Sequence, residues 1–297
     1  MRKTLFLTAV CALLAWPLAC DLQKTSNQLR SPHVMVATLL ATPPVDVDPL
    51  AFSGFDAGSF DGGGLDAGAT FDGGVLSIPS HTGAFVFFGM RTSESLDTPP
   101  QPLSNATASV LPAGGTAVTL NNDGSGNYSK TSVEDSSFRY SEGANYEFRV
   151  VHEGETYVGE VEAVPPLERI GALHPPKGYI EQPVNTSFTF VRPDPPPGKE
   201  RNLGFVTVVP LGENGERGEP TYSNVPQTPL DFLKLIALPS DWKKTSVTLP
   251  GTAFPALDRT YLIVFQSVKS GGPKSDNLFT GSAILAGTAD VGVVRTK

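Results

Sequence analysis

Cysteine is almost absent from this chain of 297 residues, which contains Cys11 and Cys20 and no other. Cys11 lies within an apolar run near the start, so we expect no internal disulfide, and the folded part must be stabilised by its own hydrophobic core. Histidine is also scarce, and no two of the four histidines have the spacing of zinc ligands on a helix. The sequence therefore predicts no metal site and no cofactor.

Catalytic motifs are lacking too. The chain contains no Walker loop, no dinucleotide-binding glycine pattern and no G-x-S-x-G sequence. Two short segments, Ser240-Asp241-Trp242-Lys243 and Ser275-Asp276-Asn277, match two of the three motifs of serine β-lactamases. The third motif, K-T-G, is missing, and no long helix is predicted around Ser240. We therefore assign no catalytic residue and expect a protein that is not an enzyme.

No apolar run approaches the roughly 20 residues of a membrane-spanning helix, but the first nineteen residues have the pattern of an export signal. A basic start is followed by an apolar core and then by Pro17-Leu18-Ala19-Cys20. This last segment resembles the lipobox of bacterial lipoproteins, although Pro17 stands where that family usually has leucine. The resemblance implies that Cys20 becomes the first residue and carries palmitate or other acyl chains. The alternative is ordinary cleavage after Ala19, which would release a soluble secreted or periplasmic protein.

Charge is distributed unevenly along the chain. Residues 31–165 contain 17 Asp and Glu against 4 Lys and Arg, whereas residues 166–297 contain 12 against 14. The acidic half would repel phosphate backbones, so we expect no nucleic-acid partner. The lipobox resemblance implies contact with a membrane of the bacterial cell envelope. It leaves open whether this is the inner or the outer membrane.

A tract rich in Asp and Gly interrupts the acidic half. Its aspartates do not follow the nine-residue repeat of calcium-binding solenoids: they stand five, five and six positions apart, at Asp56, Asp61, Asp66 and Asp72. The many glycines make ordering of the tract entropically costly. We therefore predict a flexible, partly disordered insertion over residues 44–80, with calcium binding as the alternative.

Short strands with Pro- and Gly-rich turns are predicted over most of the remaining chain. The clearest are the arms of an antiparallel hairpin in residues 146–163, where apolar and polar residues alternate on both sides of Glu153-Gly154. Arg149 and Glu160 are predicted to pair on its polar face. A tight turn is predicted at Asp123-Gly124. Further strands are predicted over residues 34–41, 84–90, 187–191, 204–209, 232–238, 246–249 and 261–268.

The hairpin, a preceding G-x-Y turn and the closing Pro165-Pro166 resemble the later strands of immunoglobulin-like and fibronectin type III-like sandwiches in bacterial surface lipoproteins. The resemblance implies an all-β fold with two antiparallel immunoglobulin-like β-sandwich domains. The predicted organisation is a signal peptide (1–19), an N-terminal tether (20–33), a first sandwich (34–165) and a second sandwich (166–297).

Such sandwiches share no catalytic motif, so the fold alone does not specify an activity. We expect a lipid-anchored cell-envelope protein that acts as a non-catalytic binding or structural module towards an envelope protein or polysaccharide. Two alternatives remain open: an envelope hydrolase whose site leaves no local motif, and a calcium-dependent adhesin.

Overall fold

The computed structural model describes residues 23–47, 70–72, 75–92, 98–135, 138–212, 217–226 and 229–297. The predictions for the signal peptide, for Cys20 and for Asp56, Asp61 and Asp66 lie outside these residues. The predicted all-β class is confirmed, with strands as the dominant element and two α-helices in the part of the chain described. Helix α1 covers residues 23–30, and helix α2 covers Pro229–Ala237.

The described residues contain twenty strands. In chain order they are β1 His33–Thr42, β2 Val45–Val47, β3 Thr70–Asp72, β4 Val75–Ile78, β5 His81–Met90, β6 Gln101–Pro102, β7 Thr107–Pro112, β8 Val118–Thr119, β9 Asn121–Asn122, β10 Asn127–Thr131, β11 Tyr146–His152, β12 Glu155–Val161, β13 Ile180–Gln182, β14 Phe188–Val191, β15 Leu203–Leu211, β16 Tyr222–Ser223, β17 Ser246–Leu249, β18 Thr260–Ser270, β19 Gly272–Pro273 and β20 Ala283–Thr296. Most are short, as the frequent Pro and Gly turns predict.

The largest sheet contains ten strands. Eight follow the order β16-β15-β18-β20-β1-β5-β10-β9, and β13 and β6 pair with β20 and β5. The sheet is mixed, because β20 pairs in parallel with β1 and β13 and antiparallel with β18. Within β20 every residue except Arg295 is buried, as expected for a central strand covered on both faces. Three smaller sheets have the orders β19-β12-β11-β7-β8, β14-β17 and β2-β4-β3.

The predicted hairpin is formed by β11 and β12. The side chains of β11 alternate between buried and more exposed positions, and Glu153 and Gly154 both have positive φ, the requirement of a tight hairpin turn. The predicted Arg149–Glu160 pair is wrong, because the register places Glu147 opposite Glu160. Arg149 binds Glu147 at 2.7 Å instead. The turn at Asp123-Gly124 is also present, between β9 and β10.

The strand predicted over residues 232–238 is wrong, because residues 232–237 belong to helix α2. Phe232 and Leu235 are three residues apart and both buried, whereas Lys234 between them is exposed. Spacing of three residues places both apolar side chains on one face of a helix. That face packs on the large sheet beside Phe205 and Leu285.

Three hydrophobic cores are present among the described residues. The first lies between the β1–β5 side of the large sheet and the sheet containing β11 and β12. The second lies between β15, β18 and the small β14–β17 sheet. The third lies on the opposite face of the large sheet, under α2.

The domain boundary predicted at Pro165-Pro166 stays a prediction, as does the immunoglobulin-like type of the sandwiches. Strand pairing crosses this boundary, since β1 pairs with β20 over six residues. The first core also draws Leu278, Ile284 and Ala286 from beyond it. Within the described residues, neither helix is long and apolar enough to span a bilayer.

Candidate functional site

A cleft of about 1110 Å³ opens beside the predicted domain boundary. We call it the junction cleft and define it by three walls: residues 163–169, the loop at residues 193–203, and residues 268–273 at the end of β18. Gln28 of α1 and Leu235 of α2 contribute to its edges. The walls come from both halves of the chain, so only the folded protein assembles the cleft.

The first wall is fixed to β20 by a buried carboxylate. Asp290 is 1% exposed, and its Oδ2 accepts a hydrogen bond of 2.7 Å from the Ile170 backbone N–H. Its Oδ1 lies 2.8 Å from Nε2 of His174. The Thr288 hydroxyl donates to the Pro166 carbonyl at 3.2 Å. The segment after Pro165 is therefore held against the sheet at several points and does not behave as a free linker.

The second wall is fastened by Arg192, whose side chain is buried. Its Nε and Nη2 donate to the two carboxylate oxygens of Glu168 at 2.7 and 2.9 Å. Nη2 also donates to the Asn202 carbonyl at 2.9 Å, which draws together the two ends of the proline-rich loop. The guanidinium carbon lies 5.0 Å from the centre of the Phe265 ring. Arg192 is thus buried at the start of a loop that is rich in proline and charged residues.

Glu168 connects the first two walls, because it receives hydrogen bonds from more than one element. Besides Arg192, the hydroxyl of Ser267 in β18 donates to Glu168 Oε2 at 2.6 Å. Arg–carboxylate pairs with two parallel hydrogen bonds have defined geometry, so this pair fixes the spacing of the walls. Sequence reasoning missed the pair, since 24 residues separate its members and neither belongs to a recognisable motif.

The third wall carries two exposed residues, Lys269 and Ser270, at the end of β18. Charged side chains of both signs surround the opening. Lys243 binds Glu200 at 2.7 Å and lowers the pKa of that carboxyl group. Arg201 binds Asp194 at 3.4 Å. Among the described lining residues none is aromatic and none is His or Cys.

The candidate residues of the two β-lactamase-like motifs do not share a site among the described residues. Ser240 lies in a short 3₁₀ helix, Pro239–Trp242, beside α2. The hydroxyl of Ser275 instead accepts a hydrogen bond from the Val158 N–H in β12. The two serines therefore lie in different surroundings, and the fold does not support a β-lactamase-like site at these residues.

The fold brings together two histidines that are distant in sequence, His33 and His152. Their ring centroids are 6.5 Å apart, and His33 stacks on Phe88 and lies against Tyr157. The Nδ1 atom of His152 is buried and has no hydrogen-bond partner among the residues that the structure describes. No group of three or more metal-ligating residues is found in the part of the chain that the structure describes.

Acidification is expected to destabilise the protein through His33. Burial is the main cause that lowers the pKa of His33 below 6.5, and His152 adds to it, while Glu155 and Glu153 oppose it. The His33 ring therefore binds a proton less readily in the folded state than in the unfolded state. The contribution of neutral His33 to stability is fully present above pH 6.5 and is lost as the pH falls towards the folded-state pKa. Melting temperatures measured at about pH 7.5 and about pH 5.5 test this expectation.

Two variants separate His33 from other groups that titrate. His33→Phe should reduce the difference between the two melting temperatures, because the ring can still stack on Phe88 but binds no proton. His81→Phe, at a solvent-exposed hydrogen bond, should leave the difference unchanged. Equal pH dependence in His33→Phe and the wild type would contradict the assignment.

Comparison with known proteins supplies no functional assignment: no protein-family model matches the chain, and a search of curated proteins finds no match. The function is therefore inferred from the junction cleft and its position in the fold.

Proposed function

We propose that this protein is a lipid-anchored component of the bacterial cell envelope that binds a partner in the junction cleft. The observation that carries the proposal is the cleft itself, whose walls are held at fixed spacing by the Arg192–Glu168 pair and by Asp290. Concave sites with apolar walls and a few polar groups are the usual form of ligand-binding sites in proteins. The partner expected from the sequence is an envelope protein or polysaccharide.

The position of α1 supports binding close to the membrane. Gln28 in this helix donates hydrogen bonds to the carbonyls of Pro273 and Ser275, at 3.3 and 3.1 Å, and lines the cleft. Three residue steps separate Cys20 from the start of α1, a span of at most about 11 Å. If Cys20 carries the acyl chains, the cleft stands near the lipid headgroups and not at the end of a long tether.

The polar groups of the cleft suit binding better than turnover. Three of the four carboxylates that line the cleft are engaged: Arg192 and Ser267 both hydrogen-bond Glu168, and Asp194 and Glu200 each pair with a cation, while Glu142 has no ion pair among the described residues. A general acid or base needs free access to the substrate. The hydrolase and calcium-dependent adhesin alternatives stay predictions, with no observation that favours either.

A photo-crosslinking experiment in intact cells tests the proposal. A photoreactive amino acid at Leu167, which lines the cleft and is 40% exposed, should yield a discrete crosslinked product. The same amino acid at Leu257, 65% exposed and outside the cleft, should not. A protein that carries both the photoreactive amino acid at position 167 and Cys20→Ser should incorporate no palmitate and should leave the membrane. The crosslinked product should then disappear.

Each part of the proposal has its own contradicting outcome. No product from Leu167, or equal products from Leu167 and Leu257, would exclude the cleft as the binding site. Unchanged membrane fractionation of Cys20→Ser, together with no palmitate in the wild-type protein, would exclude the lipid anchor.

A further inference from the structure

The junction cleft contains a short strand edge that has no neighbouring strand among the described residues. β15 begins at Leu203, opposite Val268, and β12 pairs with the continuing chain from Gly272 onward. Lys269 and Ser270 lie in the gap between these pairings. The large sheet is therefore interrupted on this side of β18, at the place where the cleft opens.

The backbone of Ser270 faces this gap. The Gly271 N–H donates to the Ile284 carbonyl at 2.7 Å, so this N–H points towards β20, next to the Ser270–Leu285 position of the β18–β20 register. In antiparallel pairing, the N–H and C=O of successive residues point to opposite sides of a strand. Those of Ser270 consequently point into the cleft, where they offer one donor and one acceptor to an extended main chain.

Most of the charged side chains around the gap that have no ion-pair partner are positive. Asp194, Glu200 and Glu168 are each paired with a cation. Three lining cations have no carboxylate partner among the described residues: Arg169, Lys199 and Lys269. Among the described lining residues, Glu142 is the one acidic residue without an ion pair. A cleft of this character attracts carboxylates.

The apolar part of the walls is made of prolines and aliphatic side chains. Pro165, Pro166, Pro195 and Pro196 contribute, with Leu203 and Val268 between them. Polysaccharide sites commonly hold sugar rings against aromatic faces, and no described lining residue provides one. Proline rings instead offer rigid apolar surface to side chains of a peptide.

We propose that the junction cleft binds an extended acidic segment of a partner protein, whose main chain pairs with Ser270 and whose carboxylates meet Lys199 and Lys269. This inference rests on the proposed function and specifies its ligand. The segment would enter the gap between β12 and β15 and complete the edge of β18 locally. The acidic peptide, and not a glycan, is then the chemical class that the protein recognises.

Fluorescence anisotropy with a labelled twelve-residue peptide of alternating Glu and Val provides the test. The full-length mature protein should bind this peptide at low salt, and binding should weaken as salt increases. Charge reversal by Lys269→Glu or Lys199→Glu should weaken binding about five- to tenfold each. Lys177→Glu, an equal change of charge at an exposed site outside the cleft, should leave binding unchanged.

Two control peptides separate charge from main-chain pairing. An alternating Lys and Val peptide should not bind, and a Glu and Val peptide with N-methylated valines should bind more weakly because it lacks half of the main-chain donors. Absence of binding by the Glu and Val peptide, or equal binding by Lys269→Glu and the wild type, overturns the proposal.

The outcomes distinguish this inference from the function on which it rests. A discrete crosslink from Leu167 combined with no peptide binding would retain the binding module and reject the acidic ligand. Absence of that crosslink would reject the cleft as a binding site in cells, whatever the peptide does. Circular dichroism of each variant verifies that a loss of binding does not reflect unfolding.

Discussion

An Arg192→Ala variant is expected to lose about 3–5 kcal/mol of unfolding free energy. The Arg192 side chain is fully buried, and its removal leaves the Glu168 carboxylate, itself 11% exposed, without its two charged hydrogen bonds. The Ser267 hydroxyl remains as a partner, but a single neutral donor compensates poorly for a lost guanidinium. Urea unfolding, followed by the fluorescence of Trp242, measures the change.

Matched variants assign this loss to the buried pair. Lys244→Ala removes an ion pair with Asp241 in which the two side chains are 65% and 64% exposed, and should cost less than about 1 kcal/mol. Replacing Arg192 and Glu168 together by leucine should recover much of the stability lost in Arg192→Ala, since no unpaired buried charge remains. If Arg192→Ala and Lys244→Ala have equal unfolding free energies, the network does not stabilise the walls of the cleft.

The same pair shows why the cleft was not predictable from the sequence. Alternation of side chains in residues 146–163 predicts the β11–β12 hairpin, because both arms and their turn are local in the chain. The Arg192–Glu168 pair and the Asp290–His174 contact join residues 24 and 116 positions apart. Their partners are set by how the sheets pack, and no local pattern carries that information.

Local sequence patterns also fail to identify two elements, helix α2 and the full length of strand β20. Helix α2 was predicted as a strand because the run from Phe232 to Leu238 is short and apolar, and such runs do not separate helix from strand by periodicity alone. The full length of β20 is not evident from the sequence, since Thr288 and Asp290 interrupt its apolar residues. In the fold both polar side chains are buried and bonded to the segment after Pro165, so the strand continues through them.

The all-β class followed from the strand and turn signals, but the pairing of β1 with β20 did not. Parallel pairing between the first and last strands has no sequence signal, because the two strands are separated by almost the whole described chain. Because of this pairing, the two halves that were predicted as separate sandwiches contribute strands to one sheet. Short strands with Pro-rich connections are compatible with two independent units or with one continuous sheet.

A fragment comprising residues 23–165 is therefore expected not to fold alone. Without the residues after 165, one edge of β1 loses its six paired positions in β20, and the first core loses Leu278, Ile284 and Ala286. The exposed edge of β1 would carry apolar residues, a typical cause of aggregation. Far-UV circular dichroism and urea unfolding should show little sheet structure and no cooperative transition, whereas the full mature chain unfolds cooperatively.

A second fragment provides the matched control. Residues 23–165 joined through a flexible linker to residues 271–297 restore β19 and β20, and with them the partners of β12 and β1. This chain should recover sheet structure and a cooperative transition, although β20 then lacks β18 as its other neighbour. Cooperative unfolding of residues 23–165 alone would instead establish the first predicted sandwich as an independent domain. Failure of the first fragment and recovery of the second would mean that β20, which lies beyond Pro165-Pro166, belongs to the same cooperative unit as β1 and the first core.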